Sequence, residues 1–229
     1  MPNKSTRMLQ FIALALGELT TELVFVGGTA MQLYADHPNA PEIRVAEDID
    51  CIVSIESKKK YRLFGERLQE KGFQLDQQAD APAFRWLYET FVLDVMPLNE
   101  KIMGFNNDWY SKGFKNTFFF TLPNGKEIRL FNTAYFLASK IEAWEHRSNR
   151  ELRWSPDFED IVYILNNRKH VIEEVQGATG KVKRFLIEKI KDFLNNPNIE
   201  EGIFNVLPAP VEDEAIKKVY RIMQKIAEE

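Results

Sequence analysis

The sequence predicts an α+β protein in which a mixed β-sheet with helices, residues 1–131, is followed by a helical C-terminal region, residues 132–229. Three observations lead to this prediction. Short apolar runs alternate with amphipathic segments as far as residue 131. The turn Pro123-Asn124-Gly125 separates two β-prone runs and indicates a hairpin. Beyond Asn132 the apolar residues recur almost wholly at helical spacing.

The sheet-containing half is predicted to alternate between helices and strands. Helices are expected over residues 5–20, 29–34 and 57–71, and a loop with two prolines over 36–41. Strands are expected over residues 23–26, 44–54, 84–88, 91–95, 117–122 and 126–131, the last four as two hairpins. The aromatic run over residues 117–120 is interpreted as a core strand in preference to a platform for stacking bases.

The second half is predicted to form helices over residues 132–147, 156–168, 169–176, 180–195 and 211–227. Ser155-Pro156-Asp157 is typical of a helix start, with a serine cap, proline at the first position and an acid in the first turn. Five basic residues of the fourth helix could contact a phosphate backbone, namely Lys181, Lys183, Arg184, Lys189 and Lys191. Interspersed acids favour an ordinary solvated face instead.

Composition excludes several classes of protein. A net charge of −4 and a pI of about 5.6 argue against a globally basic nucleic-acid binder. Cys51 is the only cysteine, so no intrachain disulfide forms and a cytoplasmic location is expected. The N-terminal apolar run, residues 11–16, is too short to span a bilayer, so no membrane partner is expected.

The first candidate motif is Gly27-Gly28-Thr29, which joins an apolar strand to a helix. Glycines at such a turn let a phosphate approach the backbone N–H groups. Thr29 would add a hydroxyl donor or cap the helix. For the motif alone, a tight turn without a ligand is the better interpretation. No P-loop and no dinucleotide-binding glycine pattern is present.

The second candidate motif is a set of three acids, Asp48, Asp50 and Asp94. Positions two apart on a strand face the same side, so Asp48 and Asp50 project together while Ile49 points into the core. Asp94 is a lone charge in the apolar run over residues 91–96, where an unpaired buried carboxylate is costly. If the two strands pair, the three carboxylates are expected to hold Mg²⁺ or Mn²⁺. Singly, each acid is better explained by a solvated face or a strand end.

The third candidate motif is formed by Lys140, Asp157 and Asp160 on the predicted helices. Lysine is a compact charge that suits triphosphate oxygens. Asp157 is equally explained by the helix dipole, whereas Asp160 lies one turn later. Which of the two acids serves a function is left open by the sequence.

Together these motifs resemble the nucleotidyltransferase superfamily, and within it the AbiEii-type toxins and related minimal nucleotidyltransferases. The resemblance runs through Gly27-Gly28-Thr29, Arg44, Glu47-Asp48-Ile49-Asp50, Asp94, Lys140-Ile141-Glu142-Ala143 and Asp157-Phe158-Glu159-Asp160-Ile161. It implies an enzyme that moves a nucleoside monophosphate from an NTP to a hydroxyl acceptor and releases pyrophosphate. For toxin-like members it also implies tRNA or another RNA as acceptor and an antitoxin protein as partner.

The resulting hypothesis gives each residue a role. Asp48 and Asp50 bind Mg²⁺, and Asp94 completes a second metal site and helps to deprotonate the acceptor. Gly27, Gly28, Thr29 and Lys140 contact the nucleotide, and Asp157 or Asp160 orients the lysine or contacts the nucleotide. Two alternatives remain, a metal-dependent phosphohydrolase and a non-catalytic nucleic-acid- or protein-binding module.

Overall fold

A computed structural model describes residues 3–36, 40–41, 44, 46–104, 106–147 and 151–228. The predicted α+β class is confirmed, because the described residues form one seven-stranded mixed sheet and eleven α-helices. The chain divides into two compact units. The sheet unit comprises Met1–Leu33 and Arg44–Asn132, and the helical unit comprises Tyr34–Ile43 and Thr133–Glu229. The segment after Leu33, which the sequence grouped with the sheet, therefore belongs to the helical unit.

The sheet has the strand order β3-β4-β5-β2-β1-β7-β6. Its strands are β1 (Leu23–Val26), β2 (Asp48–Val53), β3 (Gln74–Leu75), β4 (Arg85–Tyr88), β5 (Phe91–Pro97), β6 (Thr117–Thr121) and β7 (Glu127–Phe131). The interior strand β1 is buried along its whole length and pairs antiparallel with β2, the central strand, and parallel with β7. Strand β2 pairs parallel with β5. These central strands carry the apolar core of the sheet unit.

Both predicted hairpins are confirmed, since β4 pairs antiparallel with β5 and β6 pairs antiparallel with β7. The second strand begins later than predicted, at Asp48, and the two-residue strand β3 was not predicted. Of the predicted loop over 36–41, residues 37–39 lie outside the described residues.

Strand β6 corrects one interpretation. The aromatic run that it carries was expected to form a core strand, yet β6 lies at the end of the sheet. Phe119 is 68% exposed, whereas Phe118 and Phe120 are half-buried. The sequence could not show this because an aromatic run has the same appearance in a central strand and in an edge strand.

The sheet unit also contains α1 (Lys4–Leu16), α2 (Gly27–Met31), α3 (Lys58–Glu70), α4 (Glu100–Met103) and α5 (Tyr110–Gly113). The predicted helix over residues 29–34 in fact begins at Gly27 and continues after Met31 as a 3-10 turn, Gln32–Tyr34. Ser57 caps α3 by accepting from the backbone N–H of Lys60. The short helices α4 and α5 were not predicted, because each has too few residues to show a period.

The helical unit contains α6 (Thr133–Arg147), α7 (Pro156–Asn167), α8 (Val171–Gln176), α9 (Gly180–Leu194), α10 (Ile199–Val206) and α11 (Asp213–Ala227). Trp144 of α6 and Phe158 of α7 both pack against Phe193 of α9, with ring centroids 4.8 and 5.4 Å apart. Ser155 caps α7 as predicted, accepting from the N–H of Phe158. Helix α10 was not predicted. In the part of the chain that the structure describes, no helix combines the length and apolar character needed to cross a bilayer.

Candidate functional site

The three acids of the second motif lie on neighbouring strands of the sheet unit. The parallel register of β2 and β5 places Asp50 beside Asp94 and Asp48 beside Val92. Ile49 and Cys51, which alternate with the acids on β2, are fully buried. Asp48 and Asp50 therefore share the opposite face, and Asp94 joins them there because directly paired residues point to the same side of a sheet.

The carboxylates of Asp48, Asp50 and Asp94 converge to form an acidic cluster. Each offers an oxygen, and these oxygens lie within 4.8 Å of one another. The side chain of Asp48 is 39% exposed and that of Asp94 only 7%. A set of hard oxygen donors at this spacing fits Mg²⁺ or Mn²⁺. The acidic cluster is therefore a candidate metal centre that remains reachable from solvent through Asp48.

Arg85 of β4 is a member of this site that the motifs did not include. Its Nε and Nη2 donate to the two carboxylate oxygens of Asp94 at 2.9 and 2.8 Å. Nη2 also lies 3.5 Å from Oδ2 of Asp48. The guanidinium thus places a positive charge beside two of the three carboxylates, those of Asp48 and Asp94. A charge-assisted, two-point pair of this kind is strong and directional.

The signal for Arg85 was present in the sequence. Glu89 and Thr90 join β4 to β5, and a two-residue turn fixes the register of a hairpin. That register pairs Arg85 with Asp94. The lone acid in an apolar run therefore had a predictable counter-charge on the partner strand.

The electrostatics of the acidic cluster appear most clearly at Asp48. Burial raises the pKa of its carboxyl, and the nearby negative charge of Asp94 raises it further. Arg85 acts in the opposite sense and lowers this pKa. The net upward shift of the Asp48 pKa therefore reflects burial first and the neighbouring Asp94 carboxylate second, and a divalent cation bound beside Asp48 would lower this pKa.

Gly27 makes room for the carboxylate of Asp50. It has a φ of +76°, a conformation that residues with a Cβ rarely adopt. A Cβ at Gly27 would lie 1.9 Å from Oδ2 of Asp50 and 2.9 Å from the Asp50 Cβ. Val26 pairs with Asp50 across β1 and β2, so the chain turns at Gly27 directly beside that acid. The glycine is needed for its backbone angle and equally for the space it leaves.

Gly28 lies against a positive charge. A Cβ there would lie 2.7 Å from Nη2 of Arg44. The guanidinium of Arg44, one of the residues that carry the resemblance, is thus in contact with the glycine turn. A small residue at position 28 allows this approach. The basic group of Arg44 thus lies at the same turn as Gly27, which contacts the acidic cluster through Asp50.

Thr29 acts on the backbone of the acidic cluster. Its side chain is buried, and its hydroxyl donates to the backbone carbonyl of Asp48. Helix α2 begins without a side-chain cap, so Thr29 does not cap it. The hydroxyl ties the start of α2 to the first residue of β2 and so holds Asp48 in place.

Lys140, Asp157 and Asp160 come together in the helical unit, as an ion cluster between α6 and α7. The Lys140 Nζ lies 2.6 Å from Oδ2 of Asp160 and 3.3 Å from Oδ1 of Asp157. Arg147 Nη2 reaches the same Asp157 oxygen at 2.9 Å. Asp160 is fully buried and Lys140 is 7% exposed. Both acids thus orient the lysine, and the predicted contact of Lys140 with a triphosphate stays a prediction.

The basic residues of α9 are partly committed to ion pairs. Lys189 Nζ lies 2.9 Å from Glu145 of α6 and 3.6 Å from Asp192. The hydrogen bond with Glu145 raises the pKa of Lys189. This lysine joins two helices of the helical unit, which weakens the case for a phosphate-binding stripe along α9.

Comparison with known proteins returned no matching protein-family model and no similar curated protein. The resemblance to nucleotidyltransferases therefore depends on the quoted residues and on the geometry of the acidic cluster.

Proposed function

We propose that this protein is a metal-dependent nucleotidyltransferase that transfers a nucleoside monophosphate from an NTP to a hydroxyl acceptor. The observation that carries the proposal is the convergence of Asp48, Asp50 and Asp94 within 4.8 Å. Two further features support it. A glycine turn lies directly against one of these acids, and the Arg44 guanidinium lies against the same turn. The residues that carry the resemblance in the sheet unit are thus neighbours in space.

In the proposed reaction the acceptor oxygen forms a bond to the α-phosphorus of the NTP. The bond from that phosphorus to the bridging β-phosphate oxygen breaks, and pyrophosphate leaves with the electron pair. The bound metal would supply positive charge to the triphosphate and to the developing charge on its oxygens. The residues of the chain contribute by positioning and by electrostatic stabilisation.

Asp48, Asp50 and Asp94 would hold the metal, and Arg44 would face the phosphates at the glycine turn. The acceptor proton passes to a carboxylate of the acidic cluster. Asp48 suits this step better than Asp94, because Arg85 donates to both Asp94 oxygens whereas the Asp48 side chain is 39% exposed. We therefore propose Asp48 for this step, whereas the hypothesis drawn from the sequence gave it to Asp94.

RNA, including tRNA, is the acceptor to be tested first, and an antitoxin-type protein partner belongs to the same proposal. The assay incubates the protein with each α-labelled NTP, Mg²⁺ or Mn²⁺, total RNA and a panel of small hydroxyl compounds. Label in an acceptor supports the proposal. Phosphate release from a γ-labelled NTP without labelled acceptor identifies a phosphohydrolase instead. RNA binding that falls steeply with salt, without any turnover, identifies a binding module.

The matched variants are Asp48→Asn, in the acidic cluster, and Asp80→Asn, at an exposed acid of the same unit. We expect Asp48→Asn to abolish transfer with the fold intact and Asp80→Asn to retain it. Electron paramagnetic resonance of added Mn²⁺ gives a readout independent of turnover. Loss of a residue that only hydrogen-bonds to a metal ligand lowers metal affinity by about 10–100-fold. Asp48 is proposed as a direct ligand, so Asp48→Asn should weaken Mn²⁺ binding by at least that factor. Retained transfer by this variant would exclude the assigned metal role.

A further inference from the structure

The outer edge of β6 has hydrogen-bonding groups that its own sheet does not use. The N–H of Asn132 donates to the carbonyl of Asn116, and the N–H of Leu122 donates to that of Lys126. In an antiparallel ladder such bonded pairs alternate with pairs whose backbone groups point outward. The outward groups of β6 are therefore those of Thr117, Phe119 and Thr121. Among the described residues, nothing in the sheet unit accepts from or donates to them across this edge.

This edge also lacks the features that normally prevent strands from pairing. Natural edge strands carry charged side chains, proline or a bulge, or are very short. Thr117–Thr121 contains no charge and no proline, and it pairs with β7 without interruption over five residues. Phe119, in its centre, is 68% exposed. Strand β6 is thus suited to accept another strand.

The sequence of β6 indicates which strand it accepts. Thr-Phe-Phe-Phe-Thr reads identically in both directions, with Phe119 in the middle. In an antiparallel pair related by a two-fold axis at Phe119, this order sets threonine opposite threonine and phenylalanine opposite phenylalanine at every position of the strand. We propose that β6 pairs with β6 of a second copy of this chain, with the two-fold axis at Phe119.

The proposed register is fully determined. Phe119 lies opposite Phe119 of the partner subunit, and its outward N–H and C=O form a reciprocal pair of hydrogen bonds there. Thr117 lies opposite the partner's Thr121, and Phe118 lies opposite the partner's Phe120. Threonine–threonine and aromatic–aromatic pairs both stabilise cross-strand contacts. The two seven-stranded sheets become one continuous sheet, in which the β6 edge of each subunit is covered by the other.

A second copy fits this edge better than an unrelated peptide does. Specific binding of an unrelated extended peptide depends on pockets that accept its alternate side chains. Self-pairing of β6 instead gives a complete set of like cross-strand pairs, threonine on threonine and phenylalanine on phenylalanine. Self-pairing through β6 does not depend on the proposed catalytic activity.

The test uses the axial position, where a residue meets only its own copy. Analytical ultracentrifugation over a concentration series measures the dimer dissociation constant of the full chain. Phe119→Lys and Phe119→Glu each place like charges opposite one another and should raise this constant about tenfold or more. An equimolar mixture of the two variants places opposite charges together and should restore the dimer. The control is Leu75→Lys, which adds the same charge at an exposed apolar residue of β3, at the other end of the sheet.

A backbone variant tests the hydrogen bonds directly. Phe119→Pro removes one outward N–H and leaves the bonds between β6 and β7 in place, because position 119 does not donate to β7. It should weaken the dimer at an unchanged far-ultraviolet circular dichroism spectrum. A wild-type chain that stays monomeric at high concentration would overturn the proposal. So would a dimer that the charged variants leave intact, or a mixture of them that does not reassociate.

Discussion

Arg85 and Asp94 lie directly opposite each other on β4 and β5 and form a two-point ion pair at 2.9 and 2.8 Å. The positive charge of Arg85 explains how three carboxylates can lie close together without a bound metal ion. Hydrogen bonding with Asp94 raises the pKa of Arg85, so the guanidinium stays charged under all ordinary conditions. The positive charge of Arg85 stabilises Asp94 in the sheet, and it also repels a cation that binds at the acidic cluster. The stability of the sheet and the affinity for metal therefore both depend on Arg85.

Removal of this counter-charge should destabilise the fold. Arg85→Ala leaves the nearly buried Asp94 carboxylate beside Asp48, and we expect a loss of about 2 kcal/mol in the free energy of unfolding. Mn²⁺ should recover part of this loss because it replaces the missing positive charge. Urea unfolding with and without Mn²⁺ measures both effects.

The control for Arg85 is Arg62→Ala. Arg62 forms a surface ion pair with Glu66 on α3 at 2.8 Å, and its loss should cost less than about 0.5 kcal/mol. Equal losses in the two variants would show that the pair with Asp94 has no special role.

Gly27→Ala should disturb the acidic cluster as well as the backbone. A positive φ at a residue with a Cβ costs about 1–3 kcal/mol. The added Cβ would also lie only 1.9 Å from Oδ2 of Asp50 and would therefore displace that side chain. We expect Gly27→Ala to lower both the free energy of unfolding and the affinity for Mn²⁺.

Gly104→Ala is the matched control for Gly27, because Gly104 has a φ of +85° and open space where a Cβ would lie. It should show the backbone cost alone, with Mn²⁺ binding unchanged. If both variants bind Mn²⁺ as the unchanged chain does, the contact between Gly27 and Asp50 does not shape a metal site.

Lys140→Met tests the ion cluster of the helical unit. The substitution keeps the length of the side chain but removes the ammonium that lies 2.6 Å from the fully buried Asp160. Breaking a buried ion pair on one side costs about 3–5 kcal/mol, so the melting temperature should fall strongly. Arg147→Ala, at a side chain that is 68% exposed, should cost less than about 1 kcal/mol. An unchanged melting temperature in Lys140→Met would contradict a stabilising role for the ion cluster.

The raised pKa of the buried Tyr34 phenol leads us to expect that the stability of the fold falls at alkaline pH. Burial raises its pKa well above the ordinary value, and the charge of Glu174 adds to the effect while Arg168 opposes it. The unfolded chain therefore loses the phenol proton first. The stabilising contribution is complete below about pH 10 and is lost as the pH rises towards the folded-state pKa.

Urea unfolding between about pH 8 and pH 11 measures this slope. Tyr34→Phe, which removes the titrating group but keeps the ring that packs 4.4 Å from Phe136, should have a shallower loss of stability. An equally steep loss in both proteins would place the alkaline sensitivity elsewhere.

Local patterns in the sequence were sufficient for much of the fold. The α+β class and both hairpins followed from apolar periodicity and turn residues. The shared face of Asp48 and Asp50 followed from the two-residue period of a strand. The pairing of Arg85 with Asp94 was also available in principle, since a two-residue turn determines a hairpin register.

Contacts between distant parts of the chain required the tertiary structure. Nothing near Gly27 in the sequence indicates that Asp50 fills the space beside it, and Thr29 gives no sign that its hydroxyl reaches the Asp48 carbonyl. Nor does the run Thr117–Thr121 reveal that it forms an edge. Periodicity and turn chemistry act over a few residues and are written in the sequence, whereas strand order and close approach depend on how the whole chain packs, so only the folded protein decided them.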